Sequence, residues 1–122
     1  MVIYVKERER MNNQKLGIIG ENAACEFLEA KGYMVSERNY RCSAGEIDII
    51  AHKNSRICFI EVKTRRGNNY GRPCEAVNKK KRKNIINTAQ YYIKSQEYKG
   101  RFYEKFEFQV IEVMFEHIED IF

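Results

Sequence analysis

The chain has 122 residues, 43% hydrophobic and 32% charged, with one proline and seven glycines, which suits one modest core and excludes collagen-like and Pro-rich disordered classes. No apolar run approaches the roughly 20 residues that cross a bilayer, and residues 1–8 lack signal-peptide features, so a cytoplasmic protein without a membrane partner is expected. The net charge of +5 is unevenly spread: residues 53–83 carry +9 and residues 104–122 carry −5, an asymmetry that points to a polyanion partner.

Residues 1–11 mix apolar and charged types without a sustained period, as in a mobile arm or an added edge strand. Residues 1–12 are set apart as an N-terminal arm, 13–115 as the domain and 116–122 as an acidic tail. From Gln14, the residues Leu16, Ile19, Ala23, Phe27 and Ala30 recur at three and four positions, the stripe of a helix. Asn12 or Asn13 is its N-cap and Gly32 its C′ residue. Gly17 and Gly20 lie beside the stripe and predict close approach of another backbone. A strand is predicted over 33–40, a loop over 41–45, and an antiparallel hairpin over 46–64 that turns at 53–56. Residues 65–73 hold two Gly, two Asn and the one Pro, and read as a loop. A second helix is predicted over 78–95, with Val77, Ile85, Ile86, Ala89, Tyr92 and Ile93 as its stripe. Residues 106–115 form the last strand, which must run parallel to the strand before the second helix. The fold class is α/β: one mixed sheet in the order helix–three strands–helix–strand.

Cys25, Cys42, Cys58 and Cys74 have no metal-knuckle spacing, with only His52 and His117 to supplement them, and read as reduced thiols rather than zinc ligands. The chemistry rests on acids instead. Asp48 lies in the strand EIDIIA, and Glu61 and Lys63 lie in the returning strand FIEVK. Alternate strand residues share a face, so Glu61 and Lys63 point together, and Glu46 shares the face of Asp48. The turn brings Asp48 beside that pair. Carboxylates in strands this apolar are partly buried and need a cation. One lysine cannot neutralise them all, whereas a divalent ion can. Oxygen ligands suit Mg²⁺ or Mn²⁺ rather than zinc. Lys63 is placed to orient a water or to stabilise developing charge. A structural ion-pair cluster on a half-exposed sheet is the competing reading.

Asp48, twelve residues and then Glu61-Val62-Lys63 resemble the PD-(D/E)xK nuclease motif. The wider text, with GEIDIIA at 45–51, FIEVKTR at 59–65, Gly17-x2-Gly20-Glu21 and Asn39-Tyr40-Arg41, is similar to the YraN-type bacterial family within that superfamily. The resemblance implies a restriction-endonuclease-like fold, a Mg²⁺-type site on Asp48 and Glu61, and Lys63 as the catalytic lysine. It also implies a supporting role for Glu21, which matches a first-helix glutamate of related junction resolvases. Two positions depart from the pattern: Ile47 stands where a proline is usual in the motif, and Gln109 where the last strand often carries an aspartate.

Lys79, Lys80, Lys81, Arg82 and Lys83 open the second helix, where cations oppose the macrodipole and a phosphate is favoured. With Arg65, Arg66, Tyr70 and Arg72 in the preceding loop they are the expected nucleic-acid-binding residues. The expected function is metal-dependent phosphodiester hydrolysis on DNA, branched or single-stranded. The alternative is a catalytically silent nucleic-acid-binding module of the same fold, and a third option is a small interaction protein that uses its acidic C-terminus. The expected partners are nucleic acid, DNA before RNA, and a second copy of the chain, since cutting two strands with one site per chain takes two chains.

Overall fold

The computed structural model describes residues 1–67 and 78–117. Five strands form one mixed sheet: β1 (Val2–Glu7), β2 (Met34–Cys42), β3 (Gly45–Lys53), β4 (Arg56–Arg66) and β5 (Lys105–His117), in the spatial order β1-β5-β4-β3-β2. Two helices, α1 (Asn13–Ala30) and α2 (Lys79–Tyr98), interrupt the strands in sequence. The β2–β3 and β3–β4 pairs are antiparallel, while β4–β5 and β1–β5 are parallel. The parallel β4–α2–β5 crossover is the one the sequence order requires. The architecture is consistent with a restriction-endonuclease-like fold.

The sheet separates two cores. On one face α1 lays Leu16, Ala24, Cys25 and Leu28 over Ile49, Ala51, Cys58, Ile60, Ile111, Val113 and Phe115. On the other, α2 lays Ala89 and Tyr92 over Ile47, Ile50, Ile57 and Phe59. This explains the unbroken apolar run Ile57-Cys58-Phe59-Ile60 in β4. A central strand covered on both faces has no solvent side on which to place polar residues. Tyr92 also meets Tyr40 edge to face, with ring centroids 5.0 Å apart, a favoured geometry for aromatic pairs.

Both helix ends follow local chemistry. The Asn12 side chain accepts the Lys15 N–H at 2.8 Å, and that of Asn78 accepts the Lys81 N–H at 2.8 Å. At the far end of α1, Gly32 adopts φ +89° and its N–H bonds Glu29 O, while Tyr33 N–H bonds Leu28 O. These are the two bonds of a Schellman stop, which glycine at C′ permits.

The N-terminal segment takes the second of its two expected forms, an added edge strand, paired in parallel with β5 from Val2↔Glu112 to Glu7↔His117. Other expectations need correcting. The loop expected over 41–45 is a tight turn, because the β2–β3 ladder continues to Cys42↔Gly45. Gly45 is held there by packing: a Cβ would stand 3.1 Å from Thr88 Oγ1 and 3.4 Å from Asn84 Cβ, so the turn sits directly against α2. Of the two helix glycines, Gly20 does face a close neighbour, the Thr64 side chain rather than a backbone, whereas nothing lies within 4 Å of a Cβ at Gly17. Ile86 of the predicted α2 stripe is exposed, since the buried stripe runs through Ala89 and Tyr92 with Ile85 and Ile93 at its margin. Val77 and Cys74 lie outside the described residues. Among those described, Cys25, Cys42 and Cys58 are free thiols, and burial pushes that of Cys58 up to about 12.

Candidate active site

The β3–β4 ladder runs from Lys53↔Arg56 to Ile49↔Ile60 and stops there. Continued by one residue it would set Asp48 directly opposite Glu61. At the same place β3 loses its alternation: Ile47 belongs to the α2-side core and Ile49 to the α1-side core, although two residues apart. On the neighbouring strand, Asn39 is bracketed by Arg38↔Ile49 and Tyr40↔Ile47 and takes φ +52°. Asparagine enters this left-handed region more readily than most residues. The sheet therefore forks at Asp48, with a left-handed residue beside it on β2 and an ended ladder toward β4.

Asp48 Oδ2 closes the fork by accepting the Val62 N–H at 2.8 Å, in the place of a ladder bond. A pocket of about 570 Å³ opens here, lined by Gln14, Gly17, Ile18 and Glu21 of α1, Asn39 and Arg41 of β2, Asp48, and Val62 and Thr64. Burial raises the Asp48 carboxyl from 3.8 to about 6; the Val62 N–H lowers it, the charges of Glu61 and Glu21 raise it further, and Lys81 lowers it.

The other predicted residues are placed as follows. Glu21 enters the pocket from α1, and its Oε1 accepts Arg38 Nε at 3.1 Å and Asn39 Nδ2 at 3.0 Å. Glu61 follows Ile57 and Phe59 onto the α2 face, with its side chain 13% exposed, and there it pairs with Lys81. That contact raises the Lys81 ammonium above its ordinary value. Lys63 shares the face of Glu61 and lies in register with Glu112 of β5. Glu46 does not line the pocket; it pairs at 3.0 Å, on the exposed surface, with Arg41, which does. Arg65 is half-buried and pairs with Glu112 at 3.3 Å. Arg66 pairs with Glu7 at 3.2 Å and donates to Met11 O at 2.5 Å, tying β4 to the segment that leads into α1. Lys79, Lys80, Arg82 and Lys83 are exposed in the first turns of α2. Tyr70 and Arg72 lie outside the described residues.

Two carboxylates escape the sequence reading. Glu112 is 1% exposed, and among the described residues neither of its side-chain oxygens takes a hydrogen bond, so the Arg65 charge answers it. Glu7 is as deeply covered, and the Met11 N–H and Arg66 hold its carboxyl below the usual range. The available signal was a single acid inside an apolar stretch, VIEVMF for Glu112.

Among the described residues no group of three or more His, Cys, Asp or Glu is gathered as a metal cage. A magnesium-type ion does not require one, since it commonly takes one or two carboxylates and fills its shell with water and phosphate oxygens. Asp48 and Glu61 supply hard oxygen donors at the fork, and the Asp48 carboxyl is half-buried with its value raised chiefly by that burial. The donor chemistry fits such an ion.

The family model described as "Uncharacterised protein family UPF0102" matches residues 20–113. A UPF0102 protein of Clostridium acetobutylicum is 47% identical over 108 residues, covering 88% of this chain and 86% of its own length. One of Clostridium botulinum is 48% identical over 102 residues, covering 84% and 81%. A third, of Clostridium perfringens, is 44% identical over 107 residues, covering 88% and 84%. The matched span contains α1 from Gly20, the whole fork, and α2.

Proposed function

The chain belongs to the UPF0102 (YraN) family, and we propose that it is a metal-dependent nuclease that hydrolyses phosphodiester bonds in DNA. The observation that carries this reading is the fork: Asp48 and Glu61 stand where the β3–β4 ladder stops, beside a pocket and below the basic start of α2. Asp48 and Glu61 would hold a Mg²⁺ or Mn²⁺ ion, with Glu21 bordering the same pocket. Such an ion, when bound, supplies positive charge that makes a water more acidic and neutralises a phosphate oxygen. Lys63, two residues from Glu61 on the same face of β4, would stabilise the charge that develops on the phosphate. The Asp48–Val62 hydrogen bond fixes one carboxylate oxygen, so its orientation needs no reordering during reaction. Lys79, Lys80, Arg82 and Lys83 would attract the phosphate backbone at the helix N-terminus.

Cleavage of labelled branched and linear DNA in Mg²⁺ tests the reading. Glu61→Ala and Lys63→Ala are expected to lose cleavage by at least about a hundredfold while retaining DNA. A Glu61→Ala protein that cuts as fast as wild type refutes the assignment. A second reading, a binding module without chemistry, draws on the Glu61 carboxylate being engaged by Lys81. It predicts DNA retention unchanged by EDTA and no cleavage of any substrate.

A further inference from the structure

We infer that Lys81 is the built-in counter-cation of the site, distinct from the basic run around it: it occupies Glu61 in the metal-free protein and is released to a backbone phosphate when a divalent ion takes its place. The inference deepens the nuclease reading and rests on it for the identity of the displacing ion.

The sequence presents Lys81 as one of five consecutive cations. The structure separates it from the others. Its Nζ contacts Glu61 Oε1, the carboxylate just across the fork from Asp48, while Lys79, Lys80, Arg82 and Lys83 make no ion pair with a described residue. The base of Lys81 is fixed. Its backbone N–H is held by the Asn78 cap, and the next turns of α2 are clamped where Thr88 and Asn84 meet Gly45. A cation in a first helical turn opposes the macrodipole, and here an opposing carboxylate compensates. The Lys81 side chain keeps access to solvent, with 49% of it exposed against 13% for Glu61.

Two consequences follow from this geometry. A lone cation on a ligand oxygen competes with any divalent ion for that oxygen. Once displaced, the ammonium stands at a helix N-terminus already favourable to phosphate. Metal loading and capture of the scissile strand are thereby coupled through one side chain: the ion takes Glu61, and Lys81 turns to the substrate. Without metal, the same side chain is masked and the site holds nucleic acid less tightly.

The test is Mn²⁺ binding without nucleic acid, by calorimetry or Mn²⁺ spin resonance, on wild type, Lys81→Met and Lys94→Met. The last removes one exposed charge from the distal half of α2. Lys81→Met is expected to bind Mn²⁺ about five- to tenfold tighter, and Lys94→Met to match wild type. Equal or weaker binding by Lys81→Met, with wild type binding the ion, overturns the inference and leaves the metal reading standing. If wild type binds no Mn²⁺, the metal reading falls, and DNA retention in EDTA decides the masking of Lys81. There Glu61→Gln should raise affinity several-fold, and that gain should vanish in the Lys81→Met background. A gain that persists without Lys81 overturns the inference independently of any metal.

Discussion

Replacing Asp48 by asparagine should make the metal-free protein more stable, in a way that depends on pH. The Asp48 carboxyl is raised from 3.8 to about 6, chiefly by burial and then by the charges of Glu61 and Glu21. In the window between those values the folded chain holds more protons than the unfolded chain. Stability therefore falls as pH rises through the window, and the full penalty applies above it. At about 1.4 kcal/mol per pKa unit, the upper bound on that penalty is ~3 kcal/mol. Asp48 keeps some contact with solvent, which reduces the figure to about 1–2 kcal/mol. An asparagine removes the charge, and its amide oxygen can still accept the Val62 N–H. In EDTA near pH 7.5, Asp48→Asn should unfold later than wild type by about 1–2 kcal/mol, or roughly 4–8 °C. Near pH 4 most of that gain should disappear. Urea unfolding followed by tyrosine fluorescence suits the chain, which has eight Tyr and no Trp. Mn²⁺ should then stabilise wild type alone, because only it keeps both carboxylates. A gain equal at both pH values, or a loss at both, would show that the charge of Asp48 is not what destabilises the fork.

Gly17 lies in α1 with open space where a Cβ would be, and it lines the pocket. Gly17→Ala should therefore add about 0.5–1 kcal/mol of helix stability while weakening DNA cleavage; an unchanged cleavage rate would show that no substrate strand passes that point. Gly20 is the opposite case, since a Cβ there would come 2.5 Å from Thr64 Oγ1. Gly20→Ala should cost about 1–3 kcal/mol, and Thr64→Ala in the same chain should restore most of it; failure of the rescue would place the conflict elsewhere. Arg66→Met leaves the covered Glu7 carboxylate without its guanidinium and should lower the melting temperature at neutral pH. Glu7 titrates below its ordinary value in the fold, so the pair stabilises above that value and is lost as pH falls. The deficit of the variant should accordingly shrink in acid, and a pH-independent deficit would assign the effect to packing.

What was legible in the sequence follows from periodicity. The α1 stripe, its cap at Asn12 or Asn13, its stop at Gly32 and the 46–64 hairpin are set by residues near each other in the chain, and local rules reach them. The choice between a mobile arm and an edge strand for residues 1–11 was not, because residues 2–7 contribute one half-covered edge and their burial depends on β5, more than a hundred residues away. The candidate site divides along the same line. Asp48, Glu61 and Lys63 announce themselves as charges inside apolar strands. Glu46 was expected beside Asp48, but it pairs with Arg41 of the neighbouring strand and does not line the pocket, a contact that spacing within one strand does not reveal. Arg65 and Arg66 read as loop cations, but their partners Glu112 and Glu7 come from distant strands, so their commitment within the chain could not be seen from spacing. Lys81 was hidden for a different reason. Five like residues in a row carry no information about which one the helix turns toward Glu61.

The acids that suggest chemistry also account for the shape of the site. Had the β3–β4 ladder continued, Asp48 and Glu61 would stand as directly opposed like charges between two apolar cores, an arrangement that destabilises a sheet. Ending the ladder at Ile49↔Ile60 removes the opposition and leaves the Val62 N–H without a strand partner. Asp48 then supplies the missing acceptor, and Glu61 turns to a cation on α2. Each carboxylate thus has one structural partner that is either neutral or displaceable: a backbone amide for Asp48, a solvent-accessible ammonium for Glu61. The Asp48 carboxyl stays raised despite the Val62 N–H, first by burial and then by the charges of Glu61 and Glu21. A fork built in this way is stable enough to persist in the fold and still short of positive charge, the condition under which a divalent ion adds most.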